Sequence, residues 1–145
     1  MVLADSNVLL RVFQRGHPLH PSAIAAVRLL HRGRELVLVP QNLVELWVVA
    51  TRPTDVNGLG LTPHRAALQM ARLNRTFPML PETPDLHWEW QSLVREYQVS
   101  GKKAHDTRLV AAMRIHAVNA ILTFNGDDFR RYSGIQVIHP GDLRE

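Results

Sequence analysis

Short apolar runs alternate with stretches of helical period along the chain. Residues 2–4 are apolar and stop at Asp5, which predicts a first strand. Pro21 and Ser22 open a helix whose apolar positions Ile24, Val27, Leu29 and Leu30 are expected to face inward, with Gly33 closing it. Residues 36–39 predict a second strand, and Pro40 leads into a helix over 41–51 that ends at Arg52-Pro53. Thr62-Pro63 and Thr83-Pro84 each set a capping hydroxyl before a proline at a first helical position. In the second of these helices Leu86, Trp90, Leu93 and Tyr97 fall on one stripe, expected to be core. A helix over 106–117, with Asn119 capping its end, precedes a third strand over 120–124. The turn Asn125-Gly126-Asp127-Asp128 and a short basic helical segment lead to a last strand over 136–138. This alternation predicts an α/β fold with a parallel sheet and crossover helices. Residues 53–62, rich in Pro, Asn and Gly without periodicity, predict a mobile loop. Trp88 lies off the apolar stripe, and with Trp47 it is a candidate partner surface.

Length and composition narrow the class. The 145 residues, 46% hydrophobic and 21% charged, suit a single domain spanning 1–145. With no cysteine there is no disulfide framework, thiol nucleophile or cysteine zinc site, which fits a reducing cytoplasm. The start Met1-Val2-Leu3-Ala4-Asp5 carries no basic leader, and no apolar run approaches the roughly 18 residues of a spanning helix, so no membrane association is expected. The net charge is +4, and 15 of the 17 basic residues are arginine, whose planar fork suits phosphate. Such a charge serves either solubility or a polyanionic partner.

The acids stand in unusual company. Asp5 is the only charged residue from Met1 to Leu10, and Glu45 the only one between Leu36 and Thr51. An ionised carboxylate in apolar surroundings must be paired, protonated, metal-bound or at a cavity edge. Asp5 ends a predicted strand, where ligands sit in open parallel sheets. Glu45 lies about one turn into the helix after the second strand and leans back toward the same edge. Asp106 opens the helix before the third strand, and Asp127 and Asp128 follow that strand. Read singly, Asp5 caps a following turn, Asp106 caps a helix and the Asp127-Asp128 pair solvates a turn. Glu45 resists that reading, because no Lys or Arg lies within six residues of it. Read jointly, the acids converge on one rim, where Mg²⁺ or Mn²⁺ reconciles their charge and phosphodiester hydrolysis is the chemistry implied.

Four segments, LADSNVLLR at 3–11, PQNLVELW at 40–47, HDTRLVAA at 105–112 and ILTFNGDDF at 121–129, resemble in order and spacing the acidic motifs of the PIN domain family. The small VapC-type ribonuclease toxins of bacterial toxin–antitoxin pairs are the members most similar. The resemblance implies a three-layer α/β/α domain with a parallel sheet of four to five strands. It implies a Mg²⁺-dependent endoribonuclease with Asp5, Glu45, Asp106 and Asp128 as catalytic acids, Asp5 and Asp106 being metal ligands. Glu45 would be a further ligand or orient the attacking water. Thr123 would bond a metal-bound water, and Asn7 would support Asp5. Asn125 departs from the family pattern, which often has Asp there; the lost charge weakens a second ion site unless Asp128 supplies it. Arg11, Arg52, Lys102, Lys103 and Arg108 lie near these acids in sequence and are candidates for holding RNA phosphates. His105 is left out of the catalytic set as a hydrogen-bonding residue. The resemblance also implies a small cognate antitoxin and a homodimer.

Two rivals use the same segments. A haloacid-dehalogenase-like phosphatase also begins with a strand ending in Asp and presents Gly126-Asp127-Asp128, but it needs an acid where this chain has Asn7 and gives Glu45 no role. A catalytically silent RNA-binding module on the same fold is favoured by Asn125.

Overall fold

The computed structural model describes residues 1–144. In chain order the elements are β1 (Val2–Ala4), α1 (Ser6–Phe13), α2 (His20–Arg32), β2 (Leu36–Val37), α3 (Pro40–Thr51), α4 (Pro63–Thr76), α5 (Asp85–Glu96), α6 (Lys103–Ile115), β3 (Ala120–Leu122) and β4 (Gln136–Ile138). Short 3-10 turns lie at Thr54–Val56, Gly126–Asp128 and Pro140–Asp142. The strands form one sheet in the order β2-β1-β3-β4, every pair parallel, and Leu38 adds a single parallel bridge to Met79.

The two-residue period of the strands divides the core. Val2 and Ala4 of β1, Leu36 of β2, and Ala120 and Leu122 of β3 face helices α1 to α4, packing on Val8, Leu9, Ala26, Leu30, Leu46 and Leu73. Leu3, Val37 and Ile121 face the other way, onto Leu86 and Leu93 of α5 and Leu109, Val110 and Met113 of α6. Strands β1 to β3, buried on both faces, read as unbroken apolar runs, which makes them recognisable at only two or three residues. The chain leaves β1 toward β2 on one side and returns to β3 on the other, so the ends of β1 and β3 flank the point where the sheet order reverses. That crevice is where an open α/β sheet places its ligands. Among the described residues no helix is long and apolar enough to cross a membrane.

Several elements differ from the sequence reading. Helix α1 starts directly after Asp5, over residues for which the sequence predicts no element. Strand β2 is two residues rather than four, because Pro40 already begins α3 and Leu38 pairs only with Met79. Helix α6 begins at Lys103, three residues earlier than expected, and its reversal falls on Ala117 at φ 54° rather than on Asn119. Gly33 does cap α2, but the left-handed residue is Arg34 at φ 55°. Thr62 caps α4 through its hydroxyl, which accepts from the Arg65 N–H. Thr83 does not cap α5, and its buried hydroxyl has no hydrogen-bond partner.

The 53–62 loop is tied down rather than loose. Its backbone N–H groups at Gly58, Leu59, Gly60 and Leu61 reach carbonyls of Pro53, Val49, Arg52 and Ala50. A Cβ at Gly58 would lie 1.8 Å from the Arg52 carbonyl oxygen, so only glycine lets the loop fold back this closely. Trp47 packs partly buried against the core, which removes it from the exposed surface expected for it, while Trp88 is 68% exposed.

Candidate active site

Strand β1 delivers Asp5 to the sheet edge, and the start of α1 fixes it there. The residue is only 7% exposed. Its Oδ1 accepts the Ser6 N–H at 2.7 Å as the N-cap of α1, and its Oδ2 accepts the Thr123 hydroxyl at 2.7 Å from the end of β3. The pairing of Ala4 with Leu122 makes this contact, since it sets the next residues of each strand side by side. The Thr123 oxygen in turn accepts the Asn125 N–H at 3.0 Å and the Asn7 amide at 3.3 Å. Asn7 closes the loop by accepting the Phe124 N–H at 3.3 Å. Asn7 and Thr123 thus join the first acid to the fourth motif through hydrogen bonds.

Helix α3 brings the second acid. Glu45 Oε2 accepts the Ser6 hydroxyl at 3.1 Å, and Oε1 accepts the Gln41 amide at 2.6 Å. Asn42, fully buried, sets the pitch of this helix against the sheet. Its side-chain oxygen accepts the Val39 N–H at 2.8 Å and its amide donates to the Ala4 carbonyl at 2.9 Å. Replacing Asn42 by Ala removes a helix-start bond and strands a buried carbonyl. Urea unfolding should show a loss of about 2–4 kcal/mol, and a loss within error would remove Asn42 from this role.

Asp5, Glu45, Asp106 and Asp128 line a single cleft of about 220 Å³ with Ser6, Asn7, Leu10, Leu46, Val49 and Asn125. No Lys or Arg is among its lining residues. The acids feel one another. Burial, reinforced by the charges of Glu45 and Asp106 and opposed by the Thr123 hydrogen bond, pushes the Asp5 carboxyl up to about 7. Burial also raises Asp106 to about 6, with Asp128 and Glu45 adding to the rise and His105 and Lys103 opposing it. Carboxyls crowded until they hold protons near neutrality are poised to exchange those protons for a cation.

The donor set suits a hard ion: oxygen only, with no thiolate and no histidine lining the cleft. Among the described residues no three His, Asp or Glu side chains stand within reach of one ion. An ion there would therefore draw on one or two carboxylates and on water, the usual environment of Mg²⁺.

The remaining candidates are placed as follows. Asn125 is exposed at the cleft wall, its side chain neutral where an acid would add charge. Asp127 lies outside that cleft and pairs with Arg130. Lys102 and Lys103 are exposed at the start of α6, Lys103 close enough to act on Asp106. Arg108 donates to Gln41 at 3.1 Å and to Glu82 at 3.0 Å, Arg52 to the Asn57 carbonyl, and Arg11 to Gln14. Ser6, Gln41 and Asn42 are not marked as site residues by the sequence. The available signal was polarity alone: Gln41 and Asn42 interrupt the apolar run from Leu36 to Leu46 with no charge to draw the eye.

Comparison with known proteins follows this geometry. A toxin–antitoxin complex from Klebsiella pneumoniae superposes with a TM-score of 0.69 at 18% identity, covering 99% of this chain and 100% of that one. FitAcB from Neisseria gonorrhoeae gives 0.70 at 18% identity over 99% and 100%. Mycobacterium tuberculosis VapC20, described as a sarcin-ricin loop cleaving toxin, gives 0.65 at 21% identity over 90% and 95%. At these identities the likeness is one of fold. No curated protein matches in sequence. The PIN domain family model matches residues 2–135, a span that contains every acid of the cleft, and the chain belongs to the PIN domain family.

Proposed function

We propose that this chain is a divalent-metal-dependent endoribonuclease and the toxin of a toxin–antitoxin pair. The observation that carries the reading is the meeting of Asp5, Glu45, Asp106 and Asp128, from four separate segments, in one cleft with no basic lining residue. Structural buried acids are ordinarily matched with cations, and these face one another instead. The toxin–antitoxin neighbours and the RNA-cleaving description of VapC20 support the substrate class.

Asp5 and Asp106 are the residues that would hold Mg²⁺ or Mn²⁺, and Asp128 lies beside Asp106 to share its charge. A bound divalent ion supplies a water of lowered pKa and neutralises charge on the phosphoryl oxygens. Glu45, fixed by Ser6 and Gln41, would orient or deprotonate the attacking water. Thr123 holds the Asp5 carboxylate in orientation by donating to it. Lys102 and Lys103 are the first candidates for RNA phosphates, since Arg11, Arg52 and Arg108 already hold protein groups. The phosphatase alternative gains no support: Asn7 stands where that chemistry needs an acid, and its side chain is engaged with Thr123 and the Phe124 N–H. A small antitoxin covering the acidic rim and a homodimer complete the proposal, in a cytoplasmic setting.

Cleavage of a structured RNA in Mg²⁺ or Mn²⁺, with and without EDTA, tests it. Metal-dependent cuts in the wild-type protein that vanish in Glu45→Gln are expected. Saturating metal at about 100 times its Kd should also stabilise the fold by roughly 2.7 kcal/mol. No cleavage and no thermal shift at millimolar metal would identify a silent module instead.

A further inference from the structure

Gln41 is a buried amide that bonds one acid of the cleft, Glu45, and the residue next to another, Asp106. It is 8% exposed, in the first turn of α3 directly after Pro40. Its Nε2 donates to Glu45 Oε1 at 2.6 Å and to the backbone carbonyl of His105, the residue before Asp106, at 2.8 Å. Its Oε1 accepts Arg108 Nη1 at 3.1 Å, and Arg108 Nη2 reaches Glu82 at 3.0 Å. Both donor hydrogens and the acceptor of the amide are therefore used.

From these contacts we infer that Gln41 is a positioning residue, a strut that sets the distance between Glu45 and the Asp106 end of α6. The inference rests on the nuclease reading for the reaction it serves, though not for the metal binding it shapes. The chemistry selects an amide. A carboxylate at this position could not donate to Glu45 and would add a fifth negative charge beside four. An apolar residue would leave the His105 carbonyl and one Glu45 oxygen without these donors, and Glu45 would be held by the Ser6 hydroxyl alone. The α3 side of the strut is rigid because Asn42, the next residue, is bonded to the Ala4 carbonyl at the end of β1. On the α6 side, Arg108 braces the amide oxygen one turn after His105, so the strut has one orientation: nitrogen toward the acid, oxygen toward the guanidinium. Arg108 thereby acts through Gln41, two contacts removed from Glu45.

Partners that orient metal-site residues typically alter metal affinity or turnover by about 10- to 100-fold when removed. The test uses Gln41→Met, which keeps length and volume and removes all three bonds, and Gln41→Glu, which restores the acceptor for Arg108 alone. Mn²⁺ affinity of the metal-free proteins is measured by calorimetry beside kcat and KM for RNA cleavage, with circular dichroism and thermal melting as checks on folding. Expected are folded variants with Mn²⁺ affinity weakened about tenfold or more, kcat lowered by about 10- to 100-fold and KM within about twofold of wild type. Gln41→Glu is expected to be no better than Gln41→Met in turnover, although it keeps the Arg108 contact. A merely structural role would lower the melting temperature and leave kcat per folded molecule and Mn²⁺ affinity unchanged, which would overturn the inference. So would a variant that fails to fold in both forms while Arg108→Met, which removes the brace and spares the amide, retains wild-type affinity and kcat. A wild-type protein that binds Mn²⁺ but cuts no RNA would sink the nuclease reading and leave the strut to be decided by the affinity ratio. Failure of the wild type to bind Mn²⁺ at all would overturn both.

Discussion

Asp106→Asn is expected to lower RNA cleavage about a thousandfold or more without unfolding the protein, a barrier change of roughly 4 kcal/mol. The carboxyl of Asp106 is held up to about 6 by burial and by the charges of Asp128 and Glu45. Its ionised form is therefore a cost to the folded chain, and an isosteric amide removes that cost. Stability should be unchanged or raised. Cleavage should collapse, because a neutral amide neither balances a divalent ion nor carries the charge that a metal-assisted displacement needs. Steady-state kinetics at saturating Mn²⁺ beside a thermal melt reads both halves. Near-wild-type turnover in a folded variant would take Asp106 out of the site.

The second large effect concerns pH. Asp5 has an ordinary value of 3.8 when unfolded and is raised to about 7 in the fold. Between these values the native chain holds a proton that the unfolded chain has lost, so the folded state binds more protons and stability falls as pH rises. The contribution is fully present below about pH 4, fades through the interval and is gone above about pH 7. Asp106, raised to about 6, acts in the same direction over the lower part of that window. Asp5→Asn deletes the dependence. Above pH 7 and without metal the variant should be more stable than wild type by about 2 kcal/mol, the relieved ionisation outweighing an imperfect amide contact with Thr123. Near pH 4 the order should reverse, since a protonated Asp5 keeps its bonds to Ser6 and Thr123. Metal should favour the wild type alone, and more at pH 8 than at pH 5.5, because protons and the cation compete for the same oxygens. Equilibrium unfolding of both proteins from pH 4 to 8 measures this. Parallel curves would mean that Asp5 does not titrate in the native state.

Such a gain in stability on losing a functional acid is the ordinary conflict between a site and its scaffold. It also explains why the acids were legible in sequence. A charge in an apolar run such as LVLVPQNLVELWVVAT advertises an unfavourable placement, and Asp5 and Glu45 stand out on that ground. The strands and the two-sided core were legible for the same reason, as apolar runs stopped by polar residues. Neutral polar groups advertise nothing. Gln41, Asn42 and Ser6 carry no charge, and beside near partners each holds one 36 to 67 residues away, so only the folded chain shows what they join. Helix α1 carries no separate start signal in the sequence, because Asp5 is at once a strand end, a helix cap and a cleft acid, leaving no linker to mark the change of element. Trp47 illustrates the limit of reading faces from composition: an aromatic that looked displayed packs partly into the core.

Diffraction from crystals equilibrated with Mn²⁺ near pH 7.5 tests the central claim most directly. An anomalous peak is expected between Asp5 and Asp106, about 2.2 Å from a carboxylate oxygen of at least one of them and with water completing the sphere. A saturating soak that leaves the cleft without a peak, or places Mn²⁺ only at other carboxylates, would contradict the account.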